Sequence, residues 1–231
     1  MSIHNKTRQF SKMLGAGLLV IASLCSTANA ASEKLRLDPD ELASKARTLN
    51  PEVMKLAVKA YHNAYKEGLV RKPYLVVIDY SKPSHKKRMW VFDLYEEEVV
   101  YKLHVTHGVN SGNRMATRFS NRLGSLQTSL GTFVTQNTYD GRNGYSLRLQ
   151  GLEPGINDMA KRRGIVIHGA NYASQDYLAR NGKLGRSWGC PAIDTEYNAE
   201  VIELLEHGSV IFAYYPDEMW LASQEESKRD A

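Results

Sequence analysis

The stretch GIVIHGA, residues 164–170, joins the pattern of a buried strand to a chemically active side chain. Its apolar, β-branched residues Ile165 to Ile167 are typical of a strand that is covered on both faces. The run ends at His168, and Gly169 follows, where the backbone is free to turn. The stretch therefore predicts a short interior strand, residues 164–168, that presents an imidazole at its end.

Similar short runs recur on both sides of this strand, and helical patterns are few. The further predicted strands are residues 74–80, 89–95, 99–107, 131–136, 145–150 and 210–215. Asp38-Pro39 and Asn50-Pro51 are helix starts that predict a helical hairpin over residues 39–67, and Thr195 is the predicted cap of a helix over 196–207. Many short strands with few helices predict a mostly-β domain with short helices, preceded by the N-terminal helical hairpin.

Two polar stretches rich in Gly, Asn, Ser and Arg, residues 107–130 and 137–163, are predicted to be long loops around these strands. Residues 107–187 hold eleven Lys or Arg side chains and four Asp or Glu side chains. Loops of that length in a compact domain are usually functional or disordered. We expect the basic loops to wall a cleft that attracts an anionic substrate.

The N-terminus has the features of an export signal. Residues 1–12 carry Lys6, Arg8 and Lys12 without an acidic residue, residues 13–25 are apolar, and Ala28 and Ala30 supply a small-residue cleavage site. The apolar run is shorter than the about 20 residues that span a bilayer. We therefore expect a signal peptide over residues 1–30, export to the periplasm or to a cell-wall-facing position, and a soluble product without an integral membrane segment.

Length and charge limit the classes of protein that the remaining chain fits. The 231-residue sequence has a formal charge of +5, and cleavage after Ala30 leaves 27 basic and 25 acidic residues. That balance argues against nucleic acid as a partner. The predicted organisation is a helical extension over residues 31–70, one main β domain over 71–216, and a polar C-terminal tail over 217–231.

Cleavage would also remove Cys25 and leave Cys190, in GRSWGCPAID, as the single cysteine. One thiol cannot form an intramolecular disulfide, so Cys190 is either a small buried hydrophobe or a functional nucleophile. A strand-end His168 is a suitable base for a thiol, because the thiolate is the reactive form. Gly189 lets the backbone approach closely, so the N–H groups of Gly189 and Cys190 can point at a developing oxyanion.

The segments HGA and SWGCP resemble the His-Gly … Ser-x-Gly-Cys signature of the L,D-transpeptidase (YkuD-like) catalytic domain. TSLGTF, residues 128–133, is similar to a turn of that family, with Ser129 where proline is usual, and the stretch leading into GIVIHGA resembles a divergent murein L,D-transpeptidase subfamily. The resemblance covers roughly residues 74–215. It implies a mostly-β, L,D-transpeptidase-like β-sandwich that cuts and rejoins peptidoglycan stem peptides.

The resemblance also implies roles for individual residues. Cys190 would be the nucleophile, His168 the general base, and Gly169 the residue whose carbonyl orients the imidazole. Ser187, Trp188 and Gly189 would form the oxyanion turn. Most members carry Arg two residues after the cysteine, where this chain has Ala192. The candidates for contacting substrate in its place, or beside it, are Arg186, Arg148, His107, Asn171 and Tyr172.

The activity implied is an exported cysteine L,D-transpeptidase that attacks a tetrapeptide stem, forms a Cys190 acyl-enzyme, and makes 3–3 cross-links or exchanges the terminal D-Ala. Peptidoglycan stems would be donor and acceptor, and an outer-membrane protein lysine is an alternative acceptor. Hydrolysis by an L,D-carboxypeptidase and an inert cell-wall-binding module remain open. The resemblance implies no organic cofactor and no metal. A zinc site is also disfavoured because His104 and His107 would point to opposite faces of a strand.

Sortases and papain-like peptidases fit the sequence less well. Sortases need an Arg after the cysteine, and Arg229 in the polar tail is the only one that follows Cys190. Papain-like and NlpC-type peptidases place the cysteine before the histidine, whereas His168 precedes Cys190 here. Both comparisons favour the L,D-transpeptidase interpretation.

Overall fold

A computed structural model describes residues 37–226, with side chains as far as residue 223. The predicted signal peptide, residues 1–30, lies outside the described residues. From Asp38 onward the described chain belongs to one compact unit. None of the described helices is both long and apolar enough to cross a bilayer.

The N-terminal helical hairpin is confirmed as α1, Pro39–Lys45, and α2, Pro51–Lys66. Each helix begins with an Asx cap followed by proline: the Asp38 side chain accepts from the N–H of Asp40, and the Asn50 side chain accepts from the N–H of Glu52. These bonds satisfy N–H groups that a helix start leaves open. α2 buries an apolar face against the central strands β1, Tyr74–Asp79, and β8, Val210–Tyr214.

Eight strands form one hydrogen-bonded sheet, which confirms the mostly-β class and shows the strands as a continuous layer. The remaining strands are β2, Met89–Asp93; β3, Glu98–Leu103; β4, Gly131–Gly141; β5, Gly144–Gly151; β6, Val166–Gly169; and β7, Ala192–Ile193. The spatial order is β3-β2-β1-β8-β4-β5-β6-β7. The β1/β8 and β6/β7 pairs are parallel and the other neighbours are antiparallel.

The predicted strand over residues 145–150 is confirmed as β5, whereas residues 137–141, predicted to lie in the second loop, belong to β4. β4 and β5 continue as a long antiparallel hairpin that turns at residues 141–144, with a register shift between Thr135 and Thr138. The outer part of β4 is polar and largely exposed, so its sequence lacks the apolar alternation by which a half-buried strand is recognised. The first predicted loop, residues 107–130, contains only isolated bridges.

Three further elements differ from the prediction. The strand predicted over residues 99–107 ends at Leu103. Helix α3, Gln175–Asn181, was not predicted. The N-cap of helix α4, Asn198–Leu205, is Tyr197, which makes no side-chain cap hydrogen bond, so the predicted capping role of Thr195 is wrong.

Helix α5, Glu218–Glu226, lies within the predicted polar tail. Asp217 accepts from the N–H of Trp220, and the buried Trp220 donates from Nε1 to Glu153 at 2.7 Å. A capping carboxylate and one anchored tryptophan therefore explain helix formation in a segment of polar composition.

Candidate active site

Strands β6 and β7 bring the predicted base and the cysteine segment together at one end of the sheet. The two strands are parallel, and His168 is paired in register with Ala192, two residues beyond Cys190. Paired residues in neighbouring strands project to the same face of the sheet. The short β7 therefore places the cysteine segment beside the end of the strand that carries His168.

The imidazole of His168 is buried and held in one orientation. Its side chain is 4% exposed, and Nδ1 lies 2.9 Å from the carbonyl oxygen of Gly169. A carbonyl can only accept, so Nδ1 carries the hydrogen and Nε2 has a free lone pair. Burial lowers the pKa of His168, and the hydrogen bond to Gly169 opposes that effect. The ring is therefore neutral at neutral pH and able to accept a proton.

The Cys190 thiol is free and 8% exposed. Its Sγ lies 3.6 Å from the carbonyl oxygen of Gly164. Burial raises the pKa of Cys190, while the N–H of Val166 and the positive charge of Arg163 act in the opposite direction. With the pKa of His168 lowered and that of Cys190 raised, the imidazole and the thiol are both neutral at neutral pH.

The cysteine turn, residues 187–190, is closed by its own hydrogen bonds. Ser187 Oγ donates to the carbonyl oxygen of Cys190 at 2.6 Å and accepts from the N–H of Gly189 at 3.1 Å. The N–H of Gly189 thus donates inside the turn rather than outward, unlike the predicted arrangement. Gly189 has φ +125°, and a Cβ there would lie 2.7 Å from the carbonyl oxygen of Gln127, so no other residue fits without strain.

The loop formed by residues 107–130 packs against this turn from the other side. Ser187 donates from its N–H to the carbonyl of His107 at 3.0 Å, and Thr128 Oγ1 donates to the carbonyl of Gly189 at 3.3 Å. Thr106 and Ala192 exchange a further pair of hydrogen bonds. These hydrogen bonds hold the 107–130 loop against the cysteine turn.

His107 lies inside the fold rather than on a surface that could face substrate. It is fully buried, and Arg88 Nη2 donates to its Nδ1 at 2.8 Å. Burial, followed by the charge of Arg88, lowers the pKa of His107 to about 4. Since its ring has no exposed surface, the expectation that His107 contacts substrate is not supported by its position.

The remaining substrate candidates occupy different surroundings. Arg148 is half-buried on β5, with its guanidinium 3.9 Å from the centre of the Tyr139 ring on β4. Arg186 is exposed and donates from Nη1 to the carbonyls of Val109 and Gly112. Both guanidinium groups already have protein partners, which weakens the case for either as the carboxylate anchor.

Tyr172 and Trp188 lie closer to the cysteine. Burial, with a contribution from Cys190, raises the pKa of the half-buried Tyr172 to about 12. Trp188, within the cysteine turn, is 68% exposed, and Arg142 from the β4–β5 hairpin lies 5.5 Å over its ring. Asn171, beside Tyr172, is exposed. Trp188 is thus exposed on the cysteine turn, and Asn171 is exposed on the segment that follows β6.

Sequence reasoning missed two residues that shape the site. Asn198, at the start of α4, donates from Nδ2 to the carbonyl of Tyr145 at 2.9 Å, and its side chain fills the space where a Cβ of Gly169 would stand. Arg163 interacts electrostatically with Cys190, although it belongs to a run of three basic residues that is typical of a solvated surface. Neither position carries a local sequence signal of its role.

No metal site competes with this arrangement in the part of the chain that the structure describes. Among residues 37–226, no group of three or more His, Cys, Asp or Glu side chains is placed to hold a metal ion. Among the described residues, Cys190 is the candidate nucleophile and His168 Nε2 the candidate acceptor of its proton.

The lowered pKa of His168 predicts the acid limb of the pH profile. Activity requires the neutral ring, so kcat/KM should fall as the pH drops through the pKa of His168, which lies below its usual value of about 6.5. The measurement is kcat/KM for product formation between pH 4 and 8. His207→Gln, which changes an exposed histidine, should leave the limb in place. An acid limb centred above pH 6.5 would contradict the assignment.

The comparison with known protein families agrees with the geometry of the candidate site. Residues 45–214 match the family YkuD_2, described as an L,D-transpeptidase catalytic domain. No curated protein matches the chain.

Solved structures give more distant similarities. An L,D-transpeptidase from Mycobacterium smegmatis is 16% identical, with a TM-score of 0.40, over 62% of this chain and 59% of that chain. L,D-transpeptidase 1 from Mycobacterium tuberculosis is 13% identical, with a TM-score of 0.35, over 62% of this chain and 62% of that chain. The similarity thus spans about 60% of these structures' length. The family match covers residues 45–214, which is most of this chain, so the chain belongs to the L,D-transpeptidase catalytic domain family.

Proposed function

We propose that this protein is an exported cysteine L,D-transpeptidase that acts on peptidoglycan tetrapeptide stems. The observation that carries the proposal is the parallel β6/β7 pairing, which sets the cysteine segment beside a buried His168 whose Nδ1 is fixed by the Gly169 carbonyl. This arrangement leaves Nε2 as the base and Cys190 as the nucleophile. Membership of the L,D-transpeptidase family supports the proposed substrate class.

The first half-reaction transfers the stem to the enzyme. His168 Nε2 takes the Cys190 proton as Sγ attacks the carbonyl of the third stem residue, a diamino acid at its L-centre. The C–N bond to the terminal D-Ala breaks, and the imidazolium returns the proton to the departing amine. The product is a thioester on Cys190, and free D-Ala leaves.

The second half-reaction depends on the acceptor. An amine from another stem attacks the thioester and forms the amide of a 3–3 cross-link as the C–S bond breaks, while a free D-amino acid would give exchange. His168 Nε2 takes the amine proton and returns it to the Cys190 sulfur. The oxyanion that forms in each step needs a donor. Since the N–H of Gly189 is bonded to Ser187, the N–H of Cys190 is the candidate within the turn.

Substrate recognition is assigned to the surface around the turn. Tyr172, Trp188 and Asn171 lie beside the thiol or on the segment next to it, and Arg142 adds a positive charge over the exposed tryptophan. We assign stem carboxylates to the basic residues of this surface, because a region of one sign raises the local concentration of an oppositely charged substrate. Arg186 is a second candidate, since its exposed guanidinium keeps donors beyond those used for Val109 and Gly112.

A single incubation separates this proposal from its alternatives. Purified protein is mixed with disaccharide-tetrapeptide, and the products are identified by mass spectrometry. A cross-linked dimer with release of D-Ala supports transfer, whereas disaccharide-tripeptide without dimer indicates an L,D-carboxypeptidase. No change in the substrate indicates an inert cell-wall-binding module. Adding an outer-membrane protein that carries an accessible lysine tests that acceptor.

A carbapenem should acylate Cys190. Its strained four-membered amide opens on attack by Sγ, so the protein mass should rise by the full mass of the drug. Intact-protein mass spectrometry measures this adduct, and Cys190→Ala is the control that should remain unmodified. An active enzyme that gives no adduct after long incubation would contradict the prediction.

A further inference from the structure

Arg163 lies in the segment that leads into β6, and it is the centre of a hydrogen-bonded cluster beside the cysteine turn. Its Nη1 donates to the carbonyl of Ser120 and to Ser129 Oγ. Its Nη2 donates to Ser125 Oγ at 3.1 Å and to the carbonyl of Gln127. One half-buried side chain therefore ties together four residues of the 107–130 loop.

Every acceptor in this cluster is neutral. No ion pair joins Arg163 to a carboxylate among residues 37–226. Burial lowers the pKa of Arg163, and the ionisable group that acts in the opposite direction is Cys190. A half-buried charge with neutral partners costs free energy, so its position in the cluster beside the cysteine turn requires a reason.

The cluster is joined directly to the cysteine turn. The Gln127 carbonyl that accepts from Arg163 is the atom that would lie 2.7 Å from a Cβ at Gly189. Gly164, the residue after Arg163, places its carbonyl 3.6 Å from Cys190 Sγ. Arg163 is thus linked to the cysteine turn in two ways. Its side chain binds the loop that packs against Gly189, and the next residue in the chain contacts Cys190.

The other titratable groups around Cys190 are uncharged at neutral pH. His168 is neutral because burial lowers its pKa, and Tyr172 is neutral because burial raises its pKa to about 12. Tyr80, after β1, is fully buried, which also raises its pKa. Arg163 is therefore the charged side chain in the cluster that joins the 107–130 loop to the cysteine turn.

We propose that Arg163 is a positioning residue that holds the 107–130 loop against the cysteine turn and keeps a positive charge beside Cys190, so that the thiolate forms there at lower cost. The inference rests on the proposed function, in which the Cys190 proton moves to His168 Nε2 and leaves a thiolate beside an imidazolium. Arg163 favours the thiolate electrostatically and takes no proton itself, because a guanidinium stays charged. Its charge lies in the segment before β6, whereas Ala192 supplies no charge after the cysteine.

The test compares three variants of the full chain. Arg163→Gln removes the charge and keeps hydrogen-bond donors, and Arg163→Lys keeps the charge and loses the fork of donors. Arg162→Gln is the matched control, because it removes an exposed neighbouring charge. The readout is the rate of iodoacetamide alkylation of Cys190 against pH, followed by peptide-level mass spectrometry that reads Cys190 separately from Cys25.

We expect Arg163→Gln to move the midpoint of the alkylation profile upward by about one pH unit, which is about a tenfold slower reaction below the midpoint. Arg163→Lys should keep a midpoint near wild type while kcat falls, because the charge remains and the loop is held less firmly. Arg162→Gln should match wild type in both measurements.

A wild-type midpoint in folded Arg163→Gln overturns the inference, and so does a shift in Arg162→Gln of the same size. If Arg163→Gln does not fold, as judged by thermal unfolding, Arg163→Lys decides: a midpoint displaced upward by about one unit overturns the role of the charge. The alkylation assay needs no stem peptide. An alkylation shift without transfer products therefore contradicts only the proposed function, and transfer products without a shift contradict only this inference.

Discussion

Replacing Cys190 with alanine should abolish the formation of product from disaccharide-tetrapeptide while the protein remains folded. The substitution removes the sulfur that forms the acyl-enzyme, and no other cysteine lies within residues 37–226 to replace it. The position is buried, but only one atom is lost, so the thermal midpoint should fall by no more than about 2–4 °C. Mass-spectrometric product analysis and thermal unfolding are the two measurements.

Cys190→Ser provides the matched comparison, because it keeps a nucleophilic atom at the same place with a far higher pKa. Its activity should also be lost to within the detection limit, although the turn and its hydrogen bonds remain. Product formation by folded Cys190→Ala at a rate within tenfold of wild type would refute the cysteine mechanism. The nucleophile would then have to be a group outside this site.

The strand that carries His168 could be predicted because its sequence indicates both that the strand is buried and where it ends. The β-branched run before His168 favours a buried strand, and Gly169 marks its end; the structure gives Val166–Gly169. The β4–β5 hairpin could not be predicted to its full length. Its outer half is stabilised by cross-strand hydrogen bonds between polar residues, which have no apolar period to reveal them.

A similar difference separates the predicted site residues from the missed ones. Cys190 and His168 are recognisable because a single thiol and a strand-end imidazole are chemically distinctive. Arg163 is one basic residue among many, and its importance comes from contacts with residues about 35 to 45 positions earlier in the chain. Such contacts depend on the packing of a loop, and no local pattern in the sequence encodes them.

His107 is buried more deeply than its local sequence suggests. It was expected to contact substrate, and its side chain packs inside the fold against Arg88. The 107–130 loop begins inside the domain because Thr106 exchanges hydrogen bonds with Ala192 and draws the neighbouring residues inward. Tertiary contacts therefore overrode the local composition at this position.

Replacing His168 with alanine should lower kcat by the factor of about 10²–10⁴ that a general acid–base group contributes. Without the ring, no base receives the thiol proton, and the raised pKa of Cys190 leaves little thiolate at neutral pH. The variant should also alkylate more slowly than wild type between pH 6 and 8. The measurements are kcat with disaccharide-tetrapeptide and the rate of Cys190 modification by iodoacetamide.

The pH dependence of the alkylation separates loss of a base from loss of structure. Above the pKa of Cys190 the thiol ionises without help, so the rates of His168→Ala and wild type should converge there, whereas a collapsed site would remain slow or become fast at every pH. His207→Ala, at an exposed histidine, should behave as wild type throughout. If His168→Ala alkylates at the wild-type rate across pH 6–8, the imidazole and the thiol are not coupled. The Gly169 carbonyl would then fix His168 for a structural purpose, and the base would have to be another group within reach of Sγ.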